Sequence, residues 1–267
     1  MKLKRKFVEK PWGQEVLPDI FDHRSEKKIG EIWFEAPKGI TPQLMTKYLF
    51  TSEKLSIQVH PNDRQARRLG LPHGKAECWY ILDAKPDAVL GIGLIKPVSA
   101  TKLKTAAILG EIEQLIDWKP VKKGDFYYVP PGTIHAIGSG ISVLEIQQNV
   151  DITYRIYDYG RPRELHLDEA MAVVKLSPYD MKYSQEIPAD ESICLSVGSP
   201  FELFQIVGAD DKILSQTASK EWHVIPLEGS VTVRGKLVKA GECGICPRLS
   251  DIDFSKNNKS LVACTMT

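Results

Sequence analysis

Four polar side chains that could ligate a metal ion occur in three short stretches of the first half of the chain. Gln58 and His60 are two residues apart, so in a β-strand both side chains lie on one face. Glu77 belongs to the next strand-like stretch, and His135 follows a Pro-Pro-Gly turn. Two imidazoles, a carboxylate and an amide oxygen can hold a divalent cation and leave one position open for a substrate. Because an amide is an unusual zinc ligand, the donor types alone leave zinc, manganese and iron open.

A structural role is the competing interpretation of the same residues. Histidines are often packed or surface residues, and polar side chains that alternate along a strand usually face solvent. Here the polar face belongs to strands rich in Trp and Tyr. The spacing by itself therefore leaves the metal site and the structural role about equally favoured.

Most of the chain has the pattern of β-strands. Leu55, Ile57 and Val59 alternate with polar residues, which predicts a strand over 55–60. Further strands are predicted at the following segments: 29–34, 75–82, 124–129, 142–148, 151–157, 201–207, 222–225 and 230–233. Apolar residues recur at helical spacing over 99–118, where Ser99 or Thr101 could cap one or two short helices, and a further short helix is predicted over 164–174.

A faint internal repeat predicts two β units. Gly124-Asp125 leads into a strand that ends at Pro130, and Gly241-Glu242 leads in the same way to Pro247. The second copy has no histidine at the position of His135. We therefore predict a catalytic unit over 1–160, with a short helical insertion at about 99–118, and a non-catalytic unit over 161–267 packed on the first.

Composition excludes several classes of partner. The 267-residue chain has a net charge of +1, so no overall field attracts nucleic acid or an acidic membrane. The sequence has no run of 18 apolar residues, so no membrane span is predicted. No apolar segment follows the basic N-terminus, so no secretory signal is predicted. Five cysteines without framework spacing indicate reduced thiols and a cytoplasmic protein. Cys243 and Cys246 lack a second pair that would complete a metal site, so we expect core cysteines.

Three segments in order closely resemble type I mannose-6-phosphate isomerases, in their compact bacterial form. They are Leu55 to Asp63 (LSIQVHPND), Gly74 to Tyr80 (GKAECWY) and Val129 to Ile137 (VPPGTIHAI). The resemblance covers most of residues 7–160 and the remainder weakly. It implies a mainly β fold, in which a cupin (jelly-roll) barrel with short helical segments precedes a second, degenerate cupin-like β unit. It also implies one zinc ion per chain, with Gln58, His60, Glu77 and His135 at the ligand positions.

The same resemblance implies interconversion of mannose 6-phosphate and fructose 6-phosphate through an enediolate. Such chemistry needs an acid/base near two carbons, a stabiliser for the developing oxyanion and cations for the phosphate. Arg155 shares a strand face with Thr153 and Tyr157, and an inward arginine needs an anion, either substrate phosphate or a local aspartate. By resemblance, Arg155, Lys75 and Glu145 match catalytic positions.

Other positions match the family's substrate pocket. By resemblance, Ser56 contacts phosphate or sugar, together with Lys75 and Arg155. Trp12 and Glu31 match further pocket positions, where a core aromatic and an exposed acid are the competing interpretations.

Two other functions remain open from the sequence. A non-catalytic cupin that binds a sugar phosphate is the main alternative, although it would not need both metal and proton-transfer groups. A cupin oxygenase with iron or manganese is the second, but its usual three-histidine site differs from one containing Gln58. The expected partner is a small sugar phosphate, and the expected assembly is a monomer or homodimer.

Overall fold

The fold is built from three β-sheets, and the computed structural model describes residues 1–196 and 200–266 of the chain. Sheet A has seven strands in the described residues, in the spatial order β1 (Lys4–Val16), β2 (Arg24–Glu35), β3 (Leu44–Phe50), β10 (Ile141–Gln148), β5 (Glu77–Ala84), β8 (Asp125–Val129) and β12 (Ser184–Glu186). Sheet B has five, in the order β11 (Tyr154–Tyr157), β4 (Ile57–Val59), β9 (His135–Ile137), β6 (Val89–Leu94) and β7 (Ile116–Pro120).

Alternation along the strands creates two cores, one on each face of sheet A. In β10, Val143 packs between sheets A and B, whereas Leu144 points to the opposite face. In β5, Trp79 and Tyr80 divide in the same way. Successive strand residues point to opposite faces, so a polar residue on the face of sheet A that is turned toward sheet B points into the barrel interior. Sheets A and B therefore form the barrel that carries the predicted site.

Sheet C lies against the outer face of sheet A. Its strands in the described residues run β13 (Ile193–Ser196), β14 (Phe201–Val207), β19 (Asn257–Thr265), β15 (Trp222–Val233) and β16 (Lys236–Lys239), with β17 (Gly244–Cys246) and β18 (Ile252–Asp253) pairing to β15. The predicted strands 222–225 and 230–233 are one strand, because the chain stays extended through Pro226 with register shifts against β19.

Three short α-helices lie outside the sheets of the described chain: α1 (Asp63–Arg67), α2 (Ala100–Leu109) and α3 (Leu167–Val173). Ser99 caps α2 by accepting a hydrogen bond from the Lys102 amide at 3.2 Å, and Gly110 ends the helix in a left-handed conformation. A 3₁₀ turn follows at Ile112–Gln114, so the predicted helical stretch gives way to β7 at Ile116. Helices α2 and α3 pack on the outer face of sheet B.

Shorter 3₁₀ turns join several of the strands: Asp19–Phe21, Met181–Tyr183, Lys212–Leu214 and Leu249–Asp251.

Strand pairing bears on where the two units meet. Ser184–Glu186 pairs with β8 of sheet A, and sheet C begins only at Ile193. This pairing favours a junction between residues 186 and 193. The division at residue 160 stays a prediction from sequence.

Candidate active site

A histidine–glutamate–histidine cluster lies at the junction of sheets A and B. His60, Glu77 and His135 each offer a ligand atom, and these atoms lie within 4.8 Å of one another. His135 Nε2 is 3.1 Å from Glu77 Oε1, and His60 Nε2 is 3.4 Å from Glu77 Oε2. All three side chains are about 1% exposed. A buried carboxylate between two imidazoles has the donor types of a divalent-metal site.

Backbone geometry aims these side chains at one point. Gln58 in β4 stands directly opposite His135 in β9, and its amide nitrogen is 3.3 Å from His135 Nε2. An amide oxygen and nitrogen are interchangeable by a flip, so Gln58 can turn its oxygen toward the same point. His135 Nδ1 donates to the Thr133 carbonyl at 2.8 Å, which leaves Nε2 free to ligate. Gly132 adopts φ +85° in the preceding turn and donates to the His60 carbonyl at 2.8 Å.

Lys75 lies in the loop before β5, and a close backbone crossing holds it there. Its amide donates to the Pro61 carbonyl at 3.0 Å. A Cβ at Gly74 would come within 2.4 Å of the carbonyl carbon of Asn62, so the crossing needs glycine. The Lys75 ammonium lies 3.2 Å from His60 Nε2 and 3.2 Å from Glu77 Oε2.

The electrostatics of the cluster favour metal ligands in their binding forms. Burial, with the neighbouring Lys75 charge, lowers the pKa of His60 to about 3, so its imidazole is neutral. Burial alone would raise the pKa of Glu77, but Lys75 and the two histidines outweigh it and hold the pKa well below its usual range. Neutral imidazoles and an ionised carboxylate are the states that bind a cation.

The unsatisfied atoms of the cluster fit a bound cation. Within residues 1–196 and 200–266, both Glu77 oxygens and His60 Nδ1 are buried without a hydrogen bond. Buried polar atoms are nearly always paired, so a carboxylate that has the Lys75 ammonium 3.2 Å from Oε2 but no hydrogen bond can also accept a metal cation. With Gln58, the cluster supplies the mixed nitrogen and oxygen donors of a four-ligand site.

A cavity of about 390 Å³ opens beside this cluster, within the size range of small-molecule sites. Predicted residues from both sheets and their connecting loops line it: Trp12, Glu31, Ser56, Gln58, Lys75, Glu145 and Arg155. The structure thus brings all ten sequence-predicted site residues either to the cavity or to the metal cluster. Their individual roles stay predictions.

Arg155 meets the cavity from β11. Its Nη1 donates to the Glu164 carbonyl at 2.8 Å, and its Nε has no hydrogen-bond partner in the described structure. The nearby aspartate Asp158 binds Arg163, with Oδ2 2.5 Å from Nε and Oδ1 2.7 Å from Nη2. Arg163 also lines the cavity.

Sequence reasoning missed Lys47, which forms the central ion pair of the cavity. Lys47 in β3 stands opposite Glu145 in β10, and its ammonium is 2.9 Å from Glu145 Oε1. Glu145 Oε2 accepts a hydrogen bond from Trp79 Nε1 at 3.2 Å. Burial raises the pKa of Glu145, offset in part by Lys47, and the pKa of Lys47 is raised by its carboxylate neighbours. The alternation over Met45, Thr46 and Lys47 was the available signal.

Glu31, Trp33 and Lys10 complete another part of the cavity wall. Trp33 Nε1 donates to Glu31. Burial would raise the pKa of Glu31, but Lys47, Lys10 and this hydrogen bond hold it below its ordinary value. Glu31 is buried rather than exposed, and Trp12 has both a core and a cavity-lining position.

The second β unit carries no comparable cluster in the part of the chain described. Cys243 and Cys246 are free thiols in its core, as expected from their sequence spacing. Across the described residues, no helix combines the length and apolarity needed to cross a membrane.

The fold and the site define a cupin, a barrel with a candidate metal site of histidine and carboxylate side chains beside a polar cavity. The chain is 42% identical to mannose-6-phosphate isomerase ManA of Bacillus subtilis over 161 residues, 55% of this chain and 51% of ManA. It is 36% identical over 219 residues to YvyI of the same organism, a candidate mannose-6-phosphate isomerase by name, covering 76% of this chain and 69% of YvyI. The chain therefore belongs to the mannose-6-phosphate isomerase family.

Solved structures agree with the fold. The crystal structure of mannose 6-phosphate isomerase from Bacillus subtilis superposes with a TM-score of 0.77 at 29% identity, covering 98% of each chain. A mutant phosphomannose isomerase from Salmonella typhimurium reaches 0.75 at 13% identity, covering 100% of this chain and 99% of that one. No family model matches the chain. The predicted mainly β cupin fold is confirmed, although the matched stretches span about half the length of the first two curated relatives.

Proposed function

We propose that the protein is a metal-dependent aldose–ketose isomerase that interconverts mannose 6-phosphate and fructose 6-phosphate. One observation carries the proposal: the buried His60–Glu77–His135 cluster lies beside Gln58 and Lys75, which line the cavity that also contains Glu145 and Arg155. This arrangement places a cation site beside a small-molecule cavity that contains a buried acid/base and a cationic group. Membership of the isomerase family supplies the substrate pair.

We assign the metal as zinc, one ion per chain, held by Gln58, His60, Glu77 and His135. When bound, the ion would supply Lewis-acid stabilisation of the oxygen that becomes negative during isomerisation. The burial of the two imidazoles and the carboxylate excludes competing water from their ligand atoms.

Arg155 and Ser56 are assigned to the phosphate and the sugar. The unpartnered Nε of Arg155 fits an anion, because a guanidinium binds phosphate through paired N–H donors. Trp12 offers an apolar ring face to the sugar, and Glu31 an acceptor for a hydroxyl. Binding energy from the phosphate end positions the reacting carbons.

Glu145 is assigned to proton transfer, with Lys75 as a second participant. A proton leaves C2 of the aldose, the C2–H electrons form C1=C2 and the C1=O1 electrons move to O1. The O2 proton is then transferred to O1 as C2=O2 forms, and a proton returns to C1, so no external oxidant or reductant is required. Burial raises the pKa of the Glu145 carboxyl above its ordinary value, the direction that favours a general acid/base, and the hydrogen bond from Trp79 fixes its orientation.

The remaining sequence expectations enter the proposal unchanged. Five free cysteines support a cytoplasmic setting. We retain a monomer or homodimer, and no contact with nucleic acid or membrane. A non-catalytic sugar-phosphate binder is the alternative, but it would not require Glu145 and Lys47 as a buried pair beside a metal cluster.

A coupled assay across three sugars tests the proposal. Ketose formation is followed as fructose 6-phosphate from mannose 6-phosphate and from glucose 6-phosphate, and as fructose from unphosphorylated mannose. We expect turnover of mannose 6-phosphate and a large loss with mannose, since the phosphate contact is missing. Absence of turnover with every sugar in metal-loaded protein would favour the non-catalytic binder.

A further inference from the structure

A glutamate–histidine pair at the start of strand β15, with the glutamate just before the strand, contacts the beginning of strand β3 in sheet A. The Glu221 carboxylate accepts hydrogen bonds from the backbone N–H of Gln43 at 2.8 Å and of Leu44 at 3.1 Å. His223 Nε2 lies 3.0 Å from Glu221 Oε1, and its Nδ1 lies 3.2 Å from Thr46 Oγ1. The second β unit thus binds both backbone and side chain of β3.

The opposite side of the same segment contacts the cavity wall. The Asn149 amide donates to the Gln43 carbonyl at 2.9 Å, and the Asn149 side chain donates to the Pro42 carbonyl at 2.7 Å. Asn149 itself lines the cavity. The segment 42–44 is therefore fixed between Glu221 on one side and a cavity residue on the other.

Strand alternation links this contact to the central ion pair. Thr46 points toward sheet C, where it meets His223, so its neighbours Met45 and Lys47 point to the cavity. Lys47 in turn holds Glu145 at 2.9 Å. A shift of β3 along or across the sheet would move Met45 and Lys47 together.

The contact of Glu221 and His223 with β3 is polar and directional, unlike the apolar packing around it. His223 is 1% and Glu221 13% exposed, so a charged group is largely withdrawn from water at an interface otherwise formed by apolar side chains. Burying a carboxylate is costly unless it is well bonded, and an apolar contact would join two sheets without that cost. A carboxylate that accepts two successive backbone N–H groups fixes the position of the strand.

We propose that Glu221 is a positioning residue, which acts through segment 42–44 and strand β3 to hold Lys47 and Asn149 at the cavity. The second β unit then contributes to the active site without touching substrate. The functional part of this inference rests on the proposed isomerase function, whereas the structural coupling can be measured without it.

The test compares Glu221→Gln with Glu228→Gln. Glu221 immediately precedes strand β15 and Glu228 lies within it, but Glu228 has an exposed side chain, 3.7 Å from Lys259. Glutamine keeps the shape of Glu221 and removes the charge that strengthens its bonds to the two N–H groups. Glu221→Asp provides a second variant, which keeps the charge but shortens the reach, in case Glu221→Gln does not fold.

Hydrogen exchange measures the structural coupling in the metal-loaded protein. We expect Glu221→Gln to speed exchange in peptides covering residues 42–50 and Asn149 by roughly 10-fold or more, the scale of one charged hydrogen bond. Exchange should remain unchanged in peptides of sheet C that lie away from β15. It should also remain unchanged throughout the Glu228→Gln protein. Unaltered exchange at Asn149 in both Glu221 variants would overturn the coupling, whether or not the protein proves to be an isomerase.

Kinetics measure the consequence at the cavity. With mannose 6-phosphate, Glu221→Gln should lower kcat/KM by about 10-fold, mostly in kcat, at full metal content and unchanged far-ultraviolet circular dichroism. Glu228→Gln should stay within about 2-fold of the parent protein. A parent-like kcat in a Glu221 variant with accelerated exchange would show a purely structural contact and overturn the positioning role. An inactive parent protein would instead count against the proposed function, leaving the exchange result to decide the coupling.

Discussion

Replacing Lys47 by methionine should cost stability and activity together, because it leaves Glu145 unpaired in the barrel. The Lys47 ammonium lies 2.9 Å from Glu145 Oε1, with the two side chains 12% and 4% exposed. Removing one partner of a buried ion pair costs about 3–5 kcal/mol, since the remaining charge has lost both water and its partner. We expect Lys47→Met to lower the free energy of unfolding at pH 7 by that amount.

The stability of the Lys47→Met protein should depend on pH. Burial already raises the pKa of Glu145, and removing Lys47 would raise it further. A carboxyl whose folded pKa lies above its unfolded value of 4.5 binds more protons in the folded state. The stability of Lys47→Met should therefore fall as pH rises from 4.5 through the folded pKa of Glu145. A deficit that is constant across this interval would contradict the assignment to Glu145.

A double-mutant cycle isolates the pair. Urea unfolding is measured for Lys47→Met, Glu145→Gln and the double variant, which removes both charges and should recover much of the lost stability. The control is the cross-strand pair of Lys27 and Glu9, also 2.9 Å apart but 69% and 57% exposed. Its coupling should be below about 1 kcal/mol. Equal coupling energies for the buried and the exposed pair would refute the reasoning.

Three further predictions concern the site directly. His135→Ala should abolish metal binding without unfolding the barrel, as measured by metal analysis and circular dichroism; full metal stoichiometry would remove His135 from the ligand set. Arg155→Ala should raise KM for mannose 6-phosphate by roughly 10- to 100-fold through loss of a charged hydrogen bond, and unchanged kinetics would withdraw its phosphate role. The acid limb of the kcat profile should lie above pH 4.5, because burial raises the pKa of Glu145, the proposed base; full activity retained down to pH 4.5 would contradict this.

The candidate metal ligands could be predicted from sequence because they lie in short, recognisable segments. Gln58 lies in β4 and His60 directly follows that strand, and the structure brings both beside Glu77 and His135. Spacing within a strand fixes which side chains share a face, but it does not fix which strands become neighbours. The family resemblance supplied that information for three segments.

Lys47 and Glu221 were missed for a physical reason. The partner of Lys47 lies in β10, and the contacts of Glu221 lie in β3, so each interaction depends on long-range pairing. Without knowledge of its partner, a lysine in a strand or a glutamate near a histidine is expected to be an exposed surface residue. His223 is buried at the contact between sheets A and C.

Local turn signals were also overridden at Pro226 and Gly229. Both residues favour a turn, and the sequence predicted two strands separated there. In the structure, β15 continues from Trp222 to Val233, and shifts in its register against β19 absorb the irregular residues. Pairing with a long neighbouring strand outweighed local propensity at this position.

Chelation followed by metal restoration tests the central claim most directly. Mannose 6-phosphate is incubated with the protein as prepared, after exhaustive chelation, and after addition of one equivalent of zinc per chain, and the sugars are followed by nuclear magnetic resonance. We predict conversion to fructose 6-phosphate in the first and third samples and none in the second. Conversion that persists after complete metal removal, or that never occurs in the zinc-restored protein, would contradict a zinc-dependent isomerase.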